Sequence, residues 1–147
     1  MSEAADLLSE SPTYSLDDQV GFILRQVTQR HAGIFASAFG DDLTPMQWAA
    51  LAKLAERGEC SQNLLGRLVS MDVATVKGVV DRLQKRGLAD TSADPEDRRR
   101  VVVRLTAAGR DLYGASADKA LRVTETTLDP LEPAERELLI RLLRRIR

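Results

Sequence analysis

The sequence is poor in the residues that build metal centres and nucleophilic active sites. It has one cysteine, Cys60, and one histidine, His31, among 147 residues. A single cysteine excludes a disulfide within one chain and fits a reducing compartment, so we expect a cytoplasmic protein. One cysteine and one histidine are too few side chains for a typical structural zinc site, and a Ser-His-Asp centre could use only His31. We therefore predict that the protein is not an enzyme and needs no metal or cofactor.

Long apolar runs are also missing. No run approaches the ~18 residues that span a bilayer, so we expect no membrane contact. Residues 1–12 are acidic and rich in serine and lack the basic start of a secretory signal. With 44% apolar and 29% charged residues, the composition is that of one globular domain. We expect residues 1–15 to form a flexible tail and residues 16–147 to form a single domain.

Positive and negative charges nearly balance overall, but the middle of the chain carries a basic excess. The net charge is −1. Residues 1–42 contain two basic and seven acidic side chains, whereas residues 61–105 contain nine basic and six acidic ones. A local basic excess in a weakly acidic protein predicts a confined phosphate-binding surface rather than general coating of nucleic acid. A mixed solvated surface is the alternative.

Apolar residues at steps of three and four predict a series of amphipathic helices. Capping residues, prolines and glycines mark where these helices begin and end. The predicted helices run from Leu16 to Gly40, from the Thr44 cap to Gly58, from the Ser61 cap through Leu68, from the Asp72 cap to Gly87, from the Thr106 cap to near Thr127, and from Pro133 onward.

Two short segments interrupt this helical pattern. Residues 88–91 and 101–105 are predicted to be strands, and the polar residues 92–100 between them form a long loop. Two short helices joined by a tight turn, followed by a hairpin with an arginine-rich tip, are typical of a winged helix-turn-helix. The predicted fold class is therefore mainly α with a small β-hairpin wing. The second helix of the pair would enter the major groove, and the loop arginines would reach phosphates or the minor groove.

Residues 61–109 resemble the MarR family of transcription regulators. The residues similar to the family's wing signature are Asp94-Pro95-Glu96-Asp97-Arg98-Arg99 and Val103-Arg104-Leu105-Thr106-Ala107-Ala108-Gly109, and those similar to the end of its recognition helix are Val79-Val80-Asp81-Arg82-Leu83 with Gly87-Leu88. Ser70 departs from the family pattern, which often has Gly in the turn. Gly66 stands where the preceding helix often has Ala, and Gly78 leaves one outward recognition position bare.

The resemblance implies a homodimer that binds a pseudo-palindromic operator in double-stranded DNA and regulates transcription. Residues 16–42 and 106–147 would form the dimerisation helices, and residues 44–105 the DNA-binding lobe. It also implies that Asp97 orients Arg99 toward the minor groove. The predicted DNA-facing residues are Ser61, Gln62, Ala74, Thr75, Lys77, Gly78, Arg82, Asp97, Arg98, Arg99 and Arg100.

The resemblance further implies a small-molecule effector, because related regulators bind aromatic acids or thioesters between the dimer helices and the winged domain. We expect a repressor that an aromatic acid or an aromatic acyl thioester releases from its operator. Arginines would pair with the anion, and Trp48 would face an aromatic ring. The candidate ligand-binding residues are Arg25, His31, Trp48, Arg67, Met71 and Tyr113.

Two alternatives stay open at this point. His31 lies on an apolar helix stripe, where a hydrogen-bonded core histidine or a dimer contact is a more common explanation than a ligand-binding role. Cys60 precedes a helix start, where the helix dipole lowers a thiol pKa, so a thiol-based redox sensor on the same scaffold is the second hypothesis for function.

Overall fold

The computed structural model describes residues 13–147. The helices in this part of the chain are α1 (Val20–Phe39), α2 (Pro45–Arg57), α3 (Gln62–Leu68), α4 (Val73–Lys85), α5 (Ala107–Thr127) and α6 (Pro133–Ile146), with a short 3-10 turn at Leu16–Asp18. The strands are β1 (Cys60–Ser61), β2 (Ala89–Ala93) and β3 (Val101–Leu105). The predicted fold class is confirmed. Most of the predicted tail, residues 1–12, lies outside the described residues.

The start of the first helix differs from the prediction. The chain forms a 3-10 turn at Leu16–Asp18, and α1 begins only at Val20. Gln19, between the two, has the extended backbone angles φ −86° and ψ 131°, which end the turn before α1 begins. The predicted end is confirmed, because Gly40 closes α1 with a positive φ of 57°.

The wing is a three-stranded antiparallel sheet, so the predicted two-strand hairpin was incomplete. The strand order is β1-β3-β2. Cys60 and Ser61 pair with Val103 and Val102, so β3 is the central strand. β2 begins at Ala89 rather than Leu88 and runs two residues beyond the predicted strand. The short β1 ties the start of α3 to the wing, so the helix-turn-helix and the sheet form one packed lobe.

The core of this lobe comes from three helices and the central strand. Its fully buried side chains are Leu51, Leu65, Val76, Val80, Leu83 and Val103. The predicted apolar face of α4 is therefore confirmed. Truncating such a leucine to alanine typically costs about 2–5 kcal/mol, so this core sets the position of the outward face of α4.

The junction between the wing and α5 requires a glycine. The Thr106 hydroxyl accepts the Gly109 N–H at 3.1 Å and donates to the Gly87 carbonyl at 2.6 Å. The Thr106 N–H donates to the Leu88 carbonyl at 3.1 Å. A Cβ on Gly109 would lie 2.1 Å from that same carbonyl oxygen. These contacts explain physically why Gly87-Leu88 and Thr106 to Gly109 occur together in the sequence.

The terminal helices leave much apolar surface uncovered within one chain. The described residues of α6 include none that is buried. On α5, the apolar residues Ala115 and Leu121 are exposed as well. Other exposed aliphatic residues on α1 and α6 are Val20, Ile23, Leu24, Val27, Leu138, Leu142 and Ile146. None of the helices within residues 13–147 combines the length and the apolar character that crossing a bilayer requires.

Candidate nucleic-acid interface and ligand cavity

A tight turn joins α3 to α4. Ser70 adopts a left-handed backbone with φ 57°, a conformation that favours glycine, and the Met71 N–H donates to the Gly66 carbonyl at 2.8 Å. A Cβ on Gly66 would lie 3.1 Å from both the Met71 carbonyl oxygen and Val76 Cγ1. Two of the three departures from the family pattern, Ser70 and Gly66, therefore lie in or beside this turn, where α3 contacts the start of α4.

Asp72 caps the first turn of α4. Its Oδ1 accepts the Thr75 N–H at 2.7 Å. Hydrogen bonding from Thr75 lowers the pKa of the Asp72 carboxyl, because these bonds favour the charged form. The negative charge also suits the positive end of the helix dipole. The Thr75 N–H at the N-terminus of α4 is thus satisfied within the chain.

The outward face of α4 combines small and charged side chains. Ala74, Lys77 and Arg82 are exposed, and Thr75 and Gly78 are half-buried. A Cβ on Gly78 would meet no atom within 4 Å, so this face has open space in front of it. Lys77 Nζ lies 3.1 Å from Asp81 Oδ2, an exposed pair that contributes about 0–1 kcal/mol to stability. Arg82 forms no ion pair with another residue in the range 13–147.

The two predicted DNA-facing residues at the start of α3 are half-buried. The Ser61 hydroxyl accepts the Leu64 N–H at 3.1 Å, so it acts as the N-cap of α3. Ser61 is also part of β1, and Gln62 follows it as the first residue of α3. Both residues therefore lie at the joint between the wing and α3, where Ser61 has a structural role, and their contact with DNA stays a prediction.

Two aspartates shape the loop at the tip of the wing. Asp97 Oδ1 accepts the Arg99 N–H at 3.0 Å, and its carbonyl accepts the Arg100 N–H at 2.9 Å. Asp94 Oδ1 accepts the Glu96 N–H at 2.9 Å, and the Asp94 N–H donates to the Arg100 carbonyl at 2.9 Å. Asp97 therefore contacts the backbone of Arg99 and not its guanidinium.

The arginines on this loop differ in their surroundings. Arg98, Arg99 and Arg100 are all exposed. Arg100 Nη1 lies 3.9 Å from Asp94 Oδ2, at the outer limit of an ion pair, whereas Arg98 and Arg99 form no ion pair with another part of the described chain. Two uncompensated guanidinium groups at the tip of the wing, on the same lobe as the outward face of α4, are suited to phosphate oxygens or a narrow minor groove.

Other basic residues of the central segment are engaged within the chain. Arg104 Nε donates to Glu59 Oε2 at 3.1 Å, and its Nη2 donates to Ser92 Oγ at the same distance. Arg86, at the end of α4, pairs with Asp42 in the loop between α1 and α2, with Nη2 3.0 Å from Oδ1. Some of the basic residues in 61–105 therefore form ion pairs that link elements of the fold, and these residues are less available to DNA.

A cavity of about 190 Å³ lies between α1, α2 and α5. Two predicted ligand residues, His31 and Trp48, line it. Tyr113 lies behind Trp48, with ring centroids 5.5 Å apart and 16° between the planes. The remaining lining residues, which the sequence did not single out, are Phe35, Pro45, Ala120, Val123 and Thr124. His31 and Phe35 share a helix face at a spacing of four residues, but nothing local shows that α5 closes the cavity.

The hydrogen bonds of His31 assign its ring nitrogens. Nδ1 lies 3.0 Å from the Thr127 hydroxyl oxygen, and that hydroxyl donates to the Val123 carbonyl at 2.7 Å. Since the hydroxyl proton is already used, Nδ1 must be the donor, which makes Nε2 the nitrogen available to a ligand. Next to it, Arg30 donates to the carbonyls of Thr126 and Thr127 and fastens α1 to the end of α5.

The other predicted ligand-binding residues, Arg25, Arg67 and Met71, do not line the α1–α2–α5 cavity. The predicted ligand-binding residues therefore do not form one site. Arg67 and Met71 line a different cavity, of about 340 Å³, between α3 and the start of α4. Arg25 is exposed on α1 and lines neither cavity. The basic group expected to meet an anion is thus absent from the lining of the α1–α2–α5 cavity, where His31 is the titratable side chain.

Cys60 is buried in β1, and its surroundings do not favour redox chemistry. Burial raises the pKa of the thiol, and the nearby charge of Arg57 opposes this shift only in part. A thiol with a raised pKa stays protonated at neutral pH and reacts slowly with oxidants. The expectation that a helix start would lower this pKa was wrong, because desolvation outweighs it. The redox-sensor alternative therefore has no support in the structure.

The helix-turn-helix, the three-stranded wing and the exposed basic loop define a winged helix-turn-helix DNA-binding protein. The sequence profile of the MarR family matches residues 43–101. The chain is also 37% identical over 138 residues to the HTH-type transcriptional repressor NicR of Pseudomonas putida strain KT2440, a match covering 93% of this chain and 87% of NicR. This protein belongs to the MarR family, as the sequence motifs predicted, and it is a DNA-binding transcription regulator.

Solved structures extend the comparison. A probable transcriptional regulator from Pseudomonas aeruginosa is 53% identical, with a TM-score of 0.87, and the match covers 90% of this chain and 100% of that one. BpsR of Bordetella bronchiseptica is 40% identical, with a TM-score of 0.87 and coverage of 90% and 96%. The DNA binding of BpsR is regulated by 6-hydroxynicotinic acid.

Proposed function

We propose that this protein is a homodimeric transcriptional repressor that binds a pseudo-palindromic operator and is released from it by a small aromatic acid. Its place of action is the cytoplasm, where the operator DNA lies. NicR, a repressor by name, and BpsR, which responds to an aromatic acid, are similar to this chain over most of its length. The observations below support each part of the proposal.

The exposed apolar residues of α1 and α6 support the dimer. A groove of about 460 Å³ between these helices is lined by Leu24, Ile140, Leu143 and Ile146, together with Arg144 and Arg147. Monomeric proteins rarely leave contiguous apolar surface of this kind in water. In a two-fold dimer, the same helices of a second copy would cover it, because an isologous interface pairs one surface with itself.

The pair of exposed elements on the winged lobe supports operator binding, and this observation carries the proposal. α4 presents short and polar side chains, and the wing presents two arginines without an ion pair in the described chain. The helix would read base edges in the major groove while the wing contacts the flanking backbone and minor groove. Two lobes related by a dyad would read half-sites about one helical turn apart, roughly 34 Å.

The cavity between α1, α2 and α5 supports the choice of effector. Trp48 offers a flat apolar surface to an aromatic ring, and His31 Nε2, the nitrogen that does not bond to Thr127, offers a hydrogen-bond acceptor to a ring hydroxyl of the ligand. The volume of about 190 Å³ lies below the roughly 300–1,000 Å³ of sites for drug-sized ligands. A single-ring acid therefore suits the cavity better than the aromatic acyl thioester that was the other expected effector.

The position of the cavity supports a route from ligand to DNA. Pro45 and Trp48 belong to α2, which packs on α4, and the Arg86–Asp42 pair joins the end of α4 to the loop before α2. A ligand shifts an equilibrium only through different affinities for its two states. A ligand that moves α2 would change the distance between the two α4 helices of the dimer. Couplings of this kind are typically about 1–3 kcal/mol, or roughly 5- to 150-fold in affinity.

The test combines DNA binding and ligand binding. Purified protein is titrated onto fluorescent DNA from upstream of its own coding region, at fixed salt, with and without hydroxylated benzoic and nicotinic acids. The matching amides, which lack the negative charge, are the ligand controls, and Cys60→Ser is the protein control. We expect sequence-specific binding, weaker in the presence of at least one acid, and the same response in Cys60→Ser. Absence of specific binding, or a response lost in Cys60→Ser, contradicts the proposal.

A further inference from the structure

The first residue of the recognition helix is an unusually exposed valine. Val73 begins α4 with 70% of its surface accessible, whereas the exposed aliphatic residues Leu68 and Val101 of the same lobe reach 38% and 39%. The next apolar residue of the helix, Val76, is fully buried. Val73 therefore adds little to the core of the lobe, and its apolar surface stays available to whatever covers the tip of α4.

In a winged helix-turn-helix, the N-terminal residues of the recognition helix contact base edges in the major groove. A valine has no hydrogen-bond donor or acceptor on its side chain, so it cannot read the polar atoms displayed there. Thymine alone among the four DNA bases presents an apolar group on this edge, its C5-methyl. The side chain of Val73 is thus complementary to thymine and to no other base.

The neighbouring residues make a phosphate contact at this tip unfavourable. Asp72 places a carboxylate directly before Val73, and its Oδ1 already accepts the Thr75 N–H at 2.7 Å. Hydrogen bonding from Thr75 favours the charged form of this carboxyl, so the tip carries a negative charge that repels phosphate. The polar contacts that hold the protein on the DNA backbone must come from other residues, which leaves the tip to base recognition.

A short side chain such as valine reaches a base only if the helix backbone lies close to the base edges. Ala74 and Gly78, one turn apart on the outward face, make such an approach possible. No atom lies within 4 Å of a Cβ built on Gly78, and Ala74 adds only a methyl group. These two positions thus leave a gap beside the longer side chains of Lys77 and Arg82, through which the helix backbone can approach the bases.

We propose that Val73 reads the C5-methyl group of one thymine in each operator half-site. This inference rests on the proposed operator binding and specifies the chemistry of one base position. Val73 is a specificity-determining residue that contacts the DNA, and its side chain acts by excluding water from the methyl group. The operator therefore contains, at the position facing the tip of α4, a thymine that no other base replaces without loss.

The test uses DNA that differs by single methyl groups. The operator is first recovered by selection from random DNA with the purified dimer, and each thymine of its half-sites is then replaced in turn by uracil. Burial of one methyl group predicts about a fourfold loss of affinity per half-site at one position, and about fifteenfold when both half-sites carry uracil. Uracil at the other positions should have much smaller effects.

The valine is tested by the same DNA set. Val73→Ala binds the thymine operator more weakly than the unchanged protein but loses its sensitivity to uracil at that one position. The variant is expected to fold, because the side chain is exposed and alanine favours the helix. Met46→Ala, at a residue of α2 that is 53% exposed and outside the proposed dimer helices, is the matched control and should keep the sensitivity.

The outcomes separate this inference from the proposed function. Specific DNA binding without a uracil-sensitive position overturns the role of Val73 and leaves operator binding intact. The same conclusion follows if Val73→Ala keeps the full sensitivity of the unchanged protein. Failure to recover any specific DNA sequence overturns the proposed function, and the role of Val73 with it.

Discussion

The carboxylate of Asp97 accepts the backbone N–H of Arg99 at 3.0 Å, two residues along the wing loop. This bond makes an Asx turn, which sets the direction of the chain at the tip of the wing. The guanidinium of Arg99 is exposed and forms no ion pair with the rest of residues 13–147. Asp97 thus positions the backbone of the loop and does not pair with the Arg99 guanidinium, which stays available to contact DNA.

Arg99→Ala should weaken operator binding and leave the fold unchanged. Loss of a minor-groove or phosphate contact of this kind costs about 1–3 kcal/mol per half-site, or roughly 5- to 150-fold. Fluorescence anisotropy at fixed salt measures the affinity, and thermal unfolding followed by circular dichroism measures the stability. Unchanged affinity in a folded dimer would show that the wing does not contact DNA through this residue.

Two substitutions of Asp97 distinguish backbone positioning from direct pairing with Arg99. Asp97→Asn keeps an oxygen that can accept the Arg99 N–H, and it removes a negative charge near the DNA backbone. Asp97→Ala removes the acceptor. We expect operator affinity to be retained or improved in Asp97→Asn and reduced in Asp97→Ala, as measured by the same titration. If Asp97→Asn binds as weakly as Asp97→Ala, the negative charge itself is needed and the Asx turn is not the explanation.

Gly78→Ala should separate folding from DNA binding. The added methyl group has open space in the free protein, and alanine in place of glycine stabilises a helix interior by about 0.5–1 kcal/mol. We therefore expect a higher unfolding temperature together with weaker operator binding, because the methyl group lies on the face that approaches the bases.

Gly109→Ala is the matched comparison for that substitution. A Cβ at this position would lie 2.1 Å from the Leu88 carbonyl oxygen, which belongs to the backbone and cannot turn aside. The wing and the start of α5 must move apart, at a cost of about 1–3 kcal/mol. A drop in unfolding temperature is expected for Gly109→Ala.

For Gly78→Ala, an operator affinity equal to that of the unchanged protein would contradict a close approach of α4 to the bases.

His31→Phe should weaken binding of the aromatic acid without weakening operator binding in its absence. Phenylalanine keeps an aromatic ring in the cavity wall but lacks the Nε2 atom that the hydrogen bond to Thr127 leaves available. Loss of one such polar contact typically costs about 0.5–1.5 kcal/mol. Calorimetric titration with the acid measures the change.

Arg67→Ala is the control for this prediction. Arg67 lines the separate cavity between α3 and α4, so the acid should bind this variant as it binds the unchanged protein. A loss of acid binding in Arg67→Ala that matches or exceeds the loss in His31→Phe would place the effector in the α3–α4 cavity.

Most helix starts could be predicted from the sequence because their signals are local, whereas the start of α1, which has no side-chain cap, was misplaced. Thr44 and Gln47 form both bonds of the predicted capping box, and Ser61, Asp72 and Thr106 each accept the N–H three residues further on. A side chain that bonds to backbone three residues away needs no tertiary information. The recognition motifs were visible for the same reason, since their residues lie close together along the chain.

The features that the sequence did not reveal depend on partners far along the chain. β1 is only two residues long and becomes a strand by pairing with Val102 and Val103. The predicted ligand-binding residues fall into two cavities because helix periodicity shows which residues share a face of a helix. It does not show which other helix packs against that face. His31 and Trp48 thus meet at α5, whereas Arg67 faces the start of α4. The sequence did not single out Val73, because an apolar residue at a helix start does not reveal its own exposure, which only the structure gives.

Calorimetry of an aromatic acid with the free dimer and with the dimer saturated with operator DNA tests the central claim most directly. If the acid and the operator bind different conformations of one protein, thermodynamic linkage requires each to weaken the other by the same factor. We expect the acid to bind the operator complex about 5- to 150-fold more weakly than the free dimer, matching the loss of operator affinity that the acid causes. Equal affinity of the acid for the free and the DNA-bound dimer would contradict a ligand-released repressor.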